Sequence, residues 1–237
     1  MNLSGKTAIV TGSNTGIGYE TALDLYKKGA KVYIACRNKE KALKAIQKME
    51  SDGGTGELVY KQLDLARFAF CERFCRQYST KGSRVVTLSS IAHRGATIDF
   101  DNFRLEKEYS NWREYGQSKL ADIIFAIEFD KRLKQNGSQL KSLAAHPGFS
   151  KTDLQVHMDT DMLASLELMT AKEGAQPTLA ACLREDAKGG QYWGPDGPNE
   201  QKGKPALAKI DEAALDETLN AKLWDWANAT AKANFPF

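Results

Sequence analysis

The segment TGSNTGIG, residues 11–18, follows the apolar, β-rich run KTAIVTG and leads into a stretch where Ile17, Thr21, Ala22, Leu25 and Tyr26 share one helical face. A strand that passes within a few residues into a helix restricts the chain to a small set of α/β arrangements. Gly12, Gly16 and Gly18 let the backbone turn sharply and approach a ligand closely. The first amides of the helix then point at negative charge, and a pyrophosphate is the ligand such a turn suits. Ser13, Asn14, Thr15 and Ile17 complete this expected cradle. A tight turn also selects glycine for geometry alone; its position directly after the first strand favours the ligand.

The rest of the chain repeats the strand-then-helix order. KVYIAC (31–36) reads as a second strand, and NKEKALKAIQKMES as a helix with Asn38 at its N-cap. ELVYKQLDL (57–65) reads as a third strand. Residues 66–78 read as a helix with Phe68, Cys71, Phe74, Cys75 and Tyr78 on one side, and SRVVTLSS (83–90) as a buried strand. A long helix is expected from Asn111 to Lys134, then a strand in LKSLAAHPG. Thr170 and Glu173 have the spacing of a capping box, and Pro177 is expected to kink or delay the helix that follows. GGQYWG reads as a short last strand. A final helix from Asp211 to about Ala231 places Leu215, Leu219, Leu223 and Trp226 at core spacing. This alternation predicts an α/β fold: a doubly wound parallel sheet in a single domain spanning residues 1–237, with ligands at the carboxyl ends of the strands.

Composition excludes several classes. The 237 residues carry a net charge of +3 with scattered basic residues, whereas nucleic-acid binding calls for a concentrated stripe. No apolar run reaches membrane-spanning length, and the first residues lack a basic-then-apolar leader pattern, so a reducing, cytoplasmic compartment is the expectation. Cys71 and Cys75 read as small apolar residues on a buried helix face, with no histidine near enough in sequence for a zinc site. No metal is expected.

Three further groups carry chemistry. The second strand ends at Arg37-Asn38, where a carboxylate would bind the ribose hydroxyls of NAD. Arg37 can instead pair with a 2′-phosphate, so NADP(H) is expected over NAD(H), the competing reading being a solvated surface arginine. Tyr115 and Lys119 stand at i, i+4 on one helix face. An ammonium beside a phenol favours the phenolate and suits proton exchange with an alcohol or carbonyl near neutral pH. Ser89 and Ser90 end the preceding strand.

Together with HPGFSKTDL (146–154), these motifs resemble the short-chain dehydrogenase/reductase family. SSIAHRG resembles its retinol-dehydrogenase-like branch. The resemblance implies an oxidoreductase interconverting an alcohol and a carbonyl. It gives Ser90 the carbonyl-orienting role, Tyr115 the acid/base role and Lys119 the electrostatic one. Asp64 and Leu65 are placed beside the adenine, Pro147 and Gly148 against the nicotinamide, and Thr152 at its carboxamide. His93 has two open readings, a pocket residue or a polar loop residue. Residues 155–170, with Met158, Met162, Leu163, Leu166 and Leu168, have two as well: an apolar flap over a lipophilic substrate, or core packing.

One family element has no counterpart. The family places a further strand, ending Asn-Asn-Ala-Gly, and a helix with a catalytic asparagine before the serine strand. Here only STKG separates Tyr78 from SRVVTLSS, too little for another crossover of ten to twelve residues. The serine strand is therefore expected either to pair with the first strand directly or to leave an open edge. A shift by one strand is roughly 4.8 Å, and about 1 Å can cost on the order of a hundredfold in rate. A catalytically impaired member that binds nucleotide or acts by association is the alternative function, a homo-oligomer stays open, and a Rossmann-type methyltransferase fits the motifs poorly.

Overall fold

A computed structural model describes residues 1–65, 82–152 and 167–232. The helix expected at 66–78, most of the expected flap and the C-terminal FPF lie outside the described residues. The chain groups into two compact units, Met1–Gln77 with Phe149–Gln176, and Tyr78–Gly148 with Pro177–Phe237.

The first unit is built on β1 (Thr7–Thr11), β2 (Lys31–Cys36) and β3 (Glu57–Gln62), parallel in that order. Helix α1 (Gly16–Lys27) buries Ile17, Thr21, Ala22, Leu25 and Tyr26, the face read from the sequence. Gly29 follows at φ +93°, a left-handed value that ends the helix without a Cβ penalty. Helix α2 (Lys39–Ser51) starts at Asn38, whose side chain accepts from the Lys41 amide at 2.9 Å. Val32 and Ile34 of β2 are wholly buried, whereas Ala8, Ile9 and Val10 of β1 are only half-buried. Helix α3 (Ala171–Gly174) carries the expected capping box between Thr170 and Glu173, and a Cβ on Gly174 would lie 2.8 Å from Ile17 Cδ1, so the two helices meet closely.

The second unit contains β4 (Arg84–Leu88), the long α4 (Asn111–Gln135), β5 (Lys141–Ala145), α5 (Gln176–Leu183), β6 (Tyr192–Pro195), β7 (Pro205–Leu207) and α6 (Glu217–Ala231). Strands β4, β5 and β6 are parallel and β7 runs antiparallel to β6. That antiparallel strand was not foreseen; it lies in the Pro- and Gly-rich stretch 194–205, which reads as a connection. Leu120, Ile123 and Ile124 of α4 pack with Ala144, Tyr192 and Leu223.

One expectation is corrected. The last helix begins at Asp216, whose carboxylate caps Thr218 and Leu219, after a separate 3₁₀ turn at Glu212–Leu215. The break leaves Leu215 off the helix and 55% exposed; within the helix Leu223 and Trp224 are buried and Trp226 is 38% exposed. Pro177 does mark a helix junction, with α3 ending at Gly174 and α5 starting at Gln176. Among the described residues, β1 pairs only with β2 and β4 only with β5.

The architecture is a Rossmann-like parallel-sheet α/β fold.

Candidate active site

In the first unit the expected nucleotide-binding residues gather at the carboxyl ends of β1, β2 and β3. Gly12 and Gly16 adopt φ of +63° and +58°, backbone that L side chains rarely adopt. Gly18 has an ordinary φ, but a Cβ there would lie 2.8 Å from Gly12 O. The turn is thus folded back on itself, and its closeness needs the missing side chain. Ser13 is fully buried; its hydroxyl donates to Val10 O at 2.7 Å and lies 3.9 Å from Cys36 Sγ. That side chain holds the turn, leaving backbone to face a ligand. The Thr15 side chain does not cap the first turn of α1, so the cradle presents amides of a helix start, the donor set a pyrophosphate needs. Thr152 sits beside the turn, its Cβ 3.5 Å from a Cβ placed on Gly16.

Arg37 and Asn38 are exposed directly after β2. Asn38 is engaged in capping α2, so its side-chain oxygen is already used. Asp64 is half-buried after β3, and Leu65 is 63% exposed.

In the second unit Ser90, Tyr115, Lys119, Pro147 and Gly148 lie at or near the carboxyl ends of β4 and β5. The Ser89 hydroxyl donates to Lys119 O at 2.7 Å and so binds the strand end to α4. The Ser90 hydroxyl accepts from Ala92 N at 3.2 Å, capping the 3₁₀ turn Ile91–His93, which leaves its own hydrogen for an acceptor. Gly116 allows α4 to approach this turn: a Cβ there would lie 3.0 Å from Ala92 O. Lys119 Nζ is 5.8 Å from the centroid of the Tyr115 ring, the neighbourhood that the i, i+4 spacing implies. It donates to Leu88 O at 3.3 Å and to Asp122 Oδ2 at 2.8 Å. Burial pushes the Asp122 carboxyl up from its ordinary range, and the Lys119 ammonium opposes that shift.

Two fully buried histidines sit behind these residues. Burial pushes both below the usual imidazole range. His93 is wholly buried and bonded through both ring nitrogens, to Ser90 O and to Asp211 N, rather than being a solvated polar loop residue. His146, Glu200 and Asp122 escaped sequence reasoning. His146 stands in the quoted HPG run, but neither Glu200 nor Asp122 belongs to a pattern that marks it.

The family described as short chain dehydrogenase matches residues 6–106. Retinol dehydrogenase 11 of Mus musculus is 29% identical, over 95% of this chain and 86% of its own length. Retinol dehydrogenase 12 of Homo sapiens is 31% identical, over 78% of this chain and 75% of its own. A crystal structure of an uncharacterised protein from Mycobacterium Paratuberculosis matches with TM-score 0.81 at 27% identity, covering 100% of this chain and 97% of that one. The Pseudomonas aeruginosa RhlG/NADP active-site complex shares the fold at TM-score 0.62 and 20% identity, over 81% of this chain and 94% of that one. The class so defined is a Rossmann-like oxidoreductase of alcohol and carbonyl groups. The chain belongs to the short-chain dehydrogenase family and to its retinol-dehydrogenase-like branch.

The match to the mouse protein runs over 282 aligned residues, more than the 237 of this chain. That relative therefore carries residues inside the matched stretch that have no counterpart here.

Proposed function

We propose that the chain is an NADP(H)-dependent oxidoreductase that interconverts a lipophilic alcohol and its carbonyl, with Tyr115 as the proton-transfer group. The observation that carries the reading is the placement of Tyr115 and Lys119 on one face of α4, with the Lys119 ammonium on Leu88 O at the end of the serine strand. A lipophilic substrate is in keeping with the names of the retinol dehydrogenases it resembles.

The turn at Gly12, Gly16 and Gly18 fits a pyrophosphate, because the two left-handed glycines and the 2.8 Å approach leave backbone amides as the lining. Arg37 would hold a 2′-phosphate through its planar fork. Asp64 and Leu65 would flank the adenine, and Pro147, Gly148 and Thr152 the nicotinamide. The bound nicotinamide supplies or accepts the hydride. Ser90 donates its hydroxyl hydrogen to the substrate oxygen and fixes its direction. Tyr115 gives its proton to that oxygen on reduction and recovers it on oxidation. Lys119 stabilises the phenolate left behind.

A second reading, nucleotide binding or association without turnover, is favoured by the residues that the mouse relative has in excess. Fluorescence titration with NADPH, followed by reduction of a long-chain or retinoid aldehyde, separates the two. Turnover supports the oxidoreductase; binding without turnover supports the second reading.

A further inference from the structure

Glu200 holds a carboxylate at a point that the chain reaches only through strained backbone. Asn199 and Glu200 are consecutive non-glycine residues with φ of 53° and 58°. Left-handed backbone at such residues is unfavourable and persists where the surroundings over-determine it, often at functional sites.

The surroundings are specific. Glu200 Oε2 accepts from Arg94 Nη2 at 2.5 Å and from His146 Nε2 at 3.0 Å, and Oε1 accepts from Lys209 N at 2.9 Å. The direction of the His146 bond follows from its other nitrogen: Nδ1 accepts from Gly148 N at 3.2 Å, so Nε2 carries the hydrogen. Arg94 ends the 3₁₀ turn that Ser90 begins. His93, inside that turn, accepts from Asp211 N at 3.3 Å through Nε2 and donates from Nδ1 to Ser90 O at 2.7 Å. The fit leaves no slack. A Cβ on Gly194 would lie 1.9 Å from His146 Nε2, and one on Gly148 2.3 Å from Gln201 O.

We infer that Glu200 is a positioning residue, a clamp that holds the Ser90 turn and the Pro147–Gly148 turn in one frame. Through Arg94 it holds the loop after β4, and through His146 the loop after β5. The carboxylate touches neither substrate nor cofactor; it acts through the two loops that do. The inference rests on the oxidoreductase reading for the roles of Ser90, Pro147 and Gly148.

The test uses the full chain with Glu200→Gln and Glu200→Ala, the first retaining volume in case the second folds poorly. Glu200→Ala is expected to lower kcat at least tenfold while the dissociation constant for NADPH rises by a much smaller factor, because the glycine turn and Arg37 are untouched and only the Pro147–Gly148 turn is loosened. Glu200→Gln is expected to fall between it and the parent. Nitrogen-15 spectra of the imidazoles are expected to show His146 as the Nε2–H form in the parent, and its Nε2 resonance displaced in Glu200→Ala, where that hydrogen loses its carboxylate acceptor. Unchanged kcat in a folded Glu200→Ala overturns the clamp. So does a parallel loss of kcat, NADPH binding and melting temperature, which marks a general structural role. A parent chain with no turnover instead defeats the oxidoreductase reading. The imidazole spectra then decide the clamp alone, and an unaltered His146 signal in Glu200→Ala overturns it.

Discussion

The ammonium of Lys119 is ion-paired with Asp122, Nζ to Oδ2 2.8 Å, one turn further along the helix that carries Tyr115. A carboxylate so placed offsets part of the field that Lys119 exerts on the phenol. Because burial raises the Asp122 carboxyl in the folded state, the native protein binds the proton more tightly than the unfolded chain does. Asp122 therefore opposes folding at neutral pH; the opposition fades as pH falls through the raised folded value and is gone below the unfolded one. Asp122→Asn should not lower the melting temperature at pH 7, and any gain should shrink toward pH 4. Calorimetry at both values checks this; a clear loss at pH 7 would show the ion pair to be net stabilising.

Tyr115→Phe removes the proton-transfer group and leaves the ring. A positioned acid/base is worth about 10²–10⁴ in rate, so kcat should fall by that order while NADPH affinity holds. A variant that keeps a tenth of the parent rate would assign the proton to another group.

Arg37→Ala tests the cofactor preference. A charge-assisted hydrogen bond contributes about 1.5–3 kcal/mol, equivalent to a rise of roughly ten- to a hundredfold in the NADPH dissociation constant. NADH affinity should be unchanged. Equal losses for both cofactors would contradict a 2′-phosphate contact.

Gly18→Ala places a methyl 2.8 Å from Gly12 O, with backbone rather than a flexible side chain in the way. Overpacking of this kind costs about 1–3 kcal/mol. Urea denaturation should show that loss, and NADPH titration a weakened complex. Unaltered binding and stability would mean that the turn relaxes freely.

His93 and His146 are both buried and held below the ordinary imidazole range. The unfolded chain then binds more protons near and below pH 6.5, so stability is present at neutral pH and is lost as pH falls through the unfolded value toward the lower folded ones. Melting temperature should decline from pH 7.5 to 5, and His93→Gln should reduce the slope. A flat profile would argue that another group compensates.

Local chemistry explains which features were legible in the sequence. The strand–glycine–helix turn and the Tyr115–Lys119 pair depend on residues close in sequence, where spacing alone dictates geometry. The capping by Asn38 and the box at Thr170 and Glu173 are of the same kind. Glu200 is different: its partners Arg94 and His146 are 106 and 54 residues away, and only tertiary folding unites them. Trp224 was missed because it packs on Phe125 and Phe129 of α4, a second contact that the spacing counted through Leu219 and Leu223 does not include. The strand β7 hides among prolines and glycines that read as a connection.

The apolar strands β1 and β4 each end a described ladder, with Ile9, Val10, Val85 and Val86 only half-covered and Leu88 39% exposed. While the chain is still folding, backbone donors and acceptors along such apolar strands pair as readily with a neighbouring chain as with their own. Recovery of soluble protein from denaturant should accordingly depend on dilution, with dilute refolding favouring monomer and crowded refolding yielding precipitate.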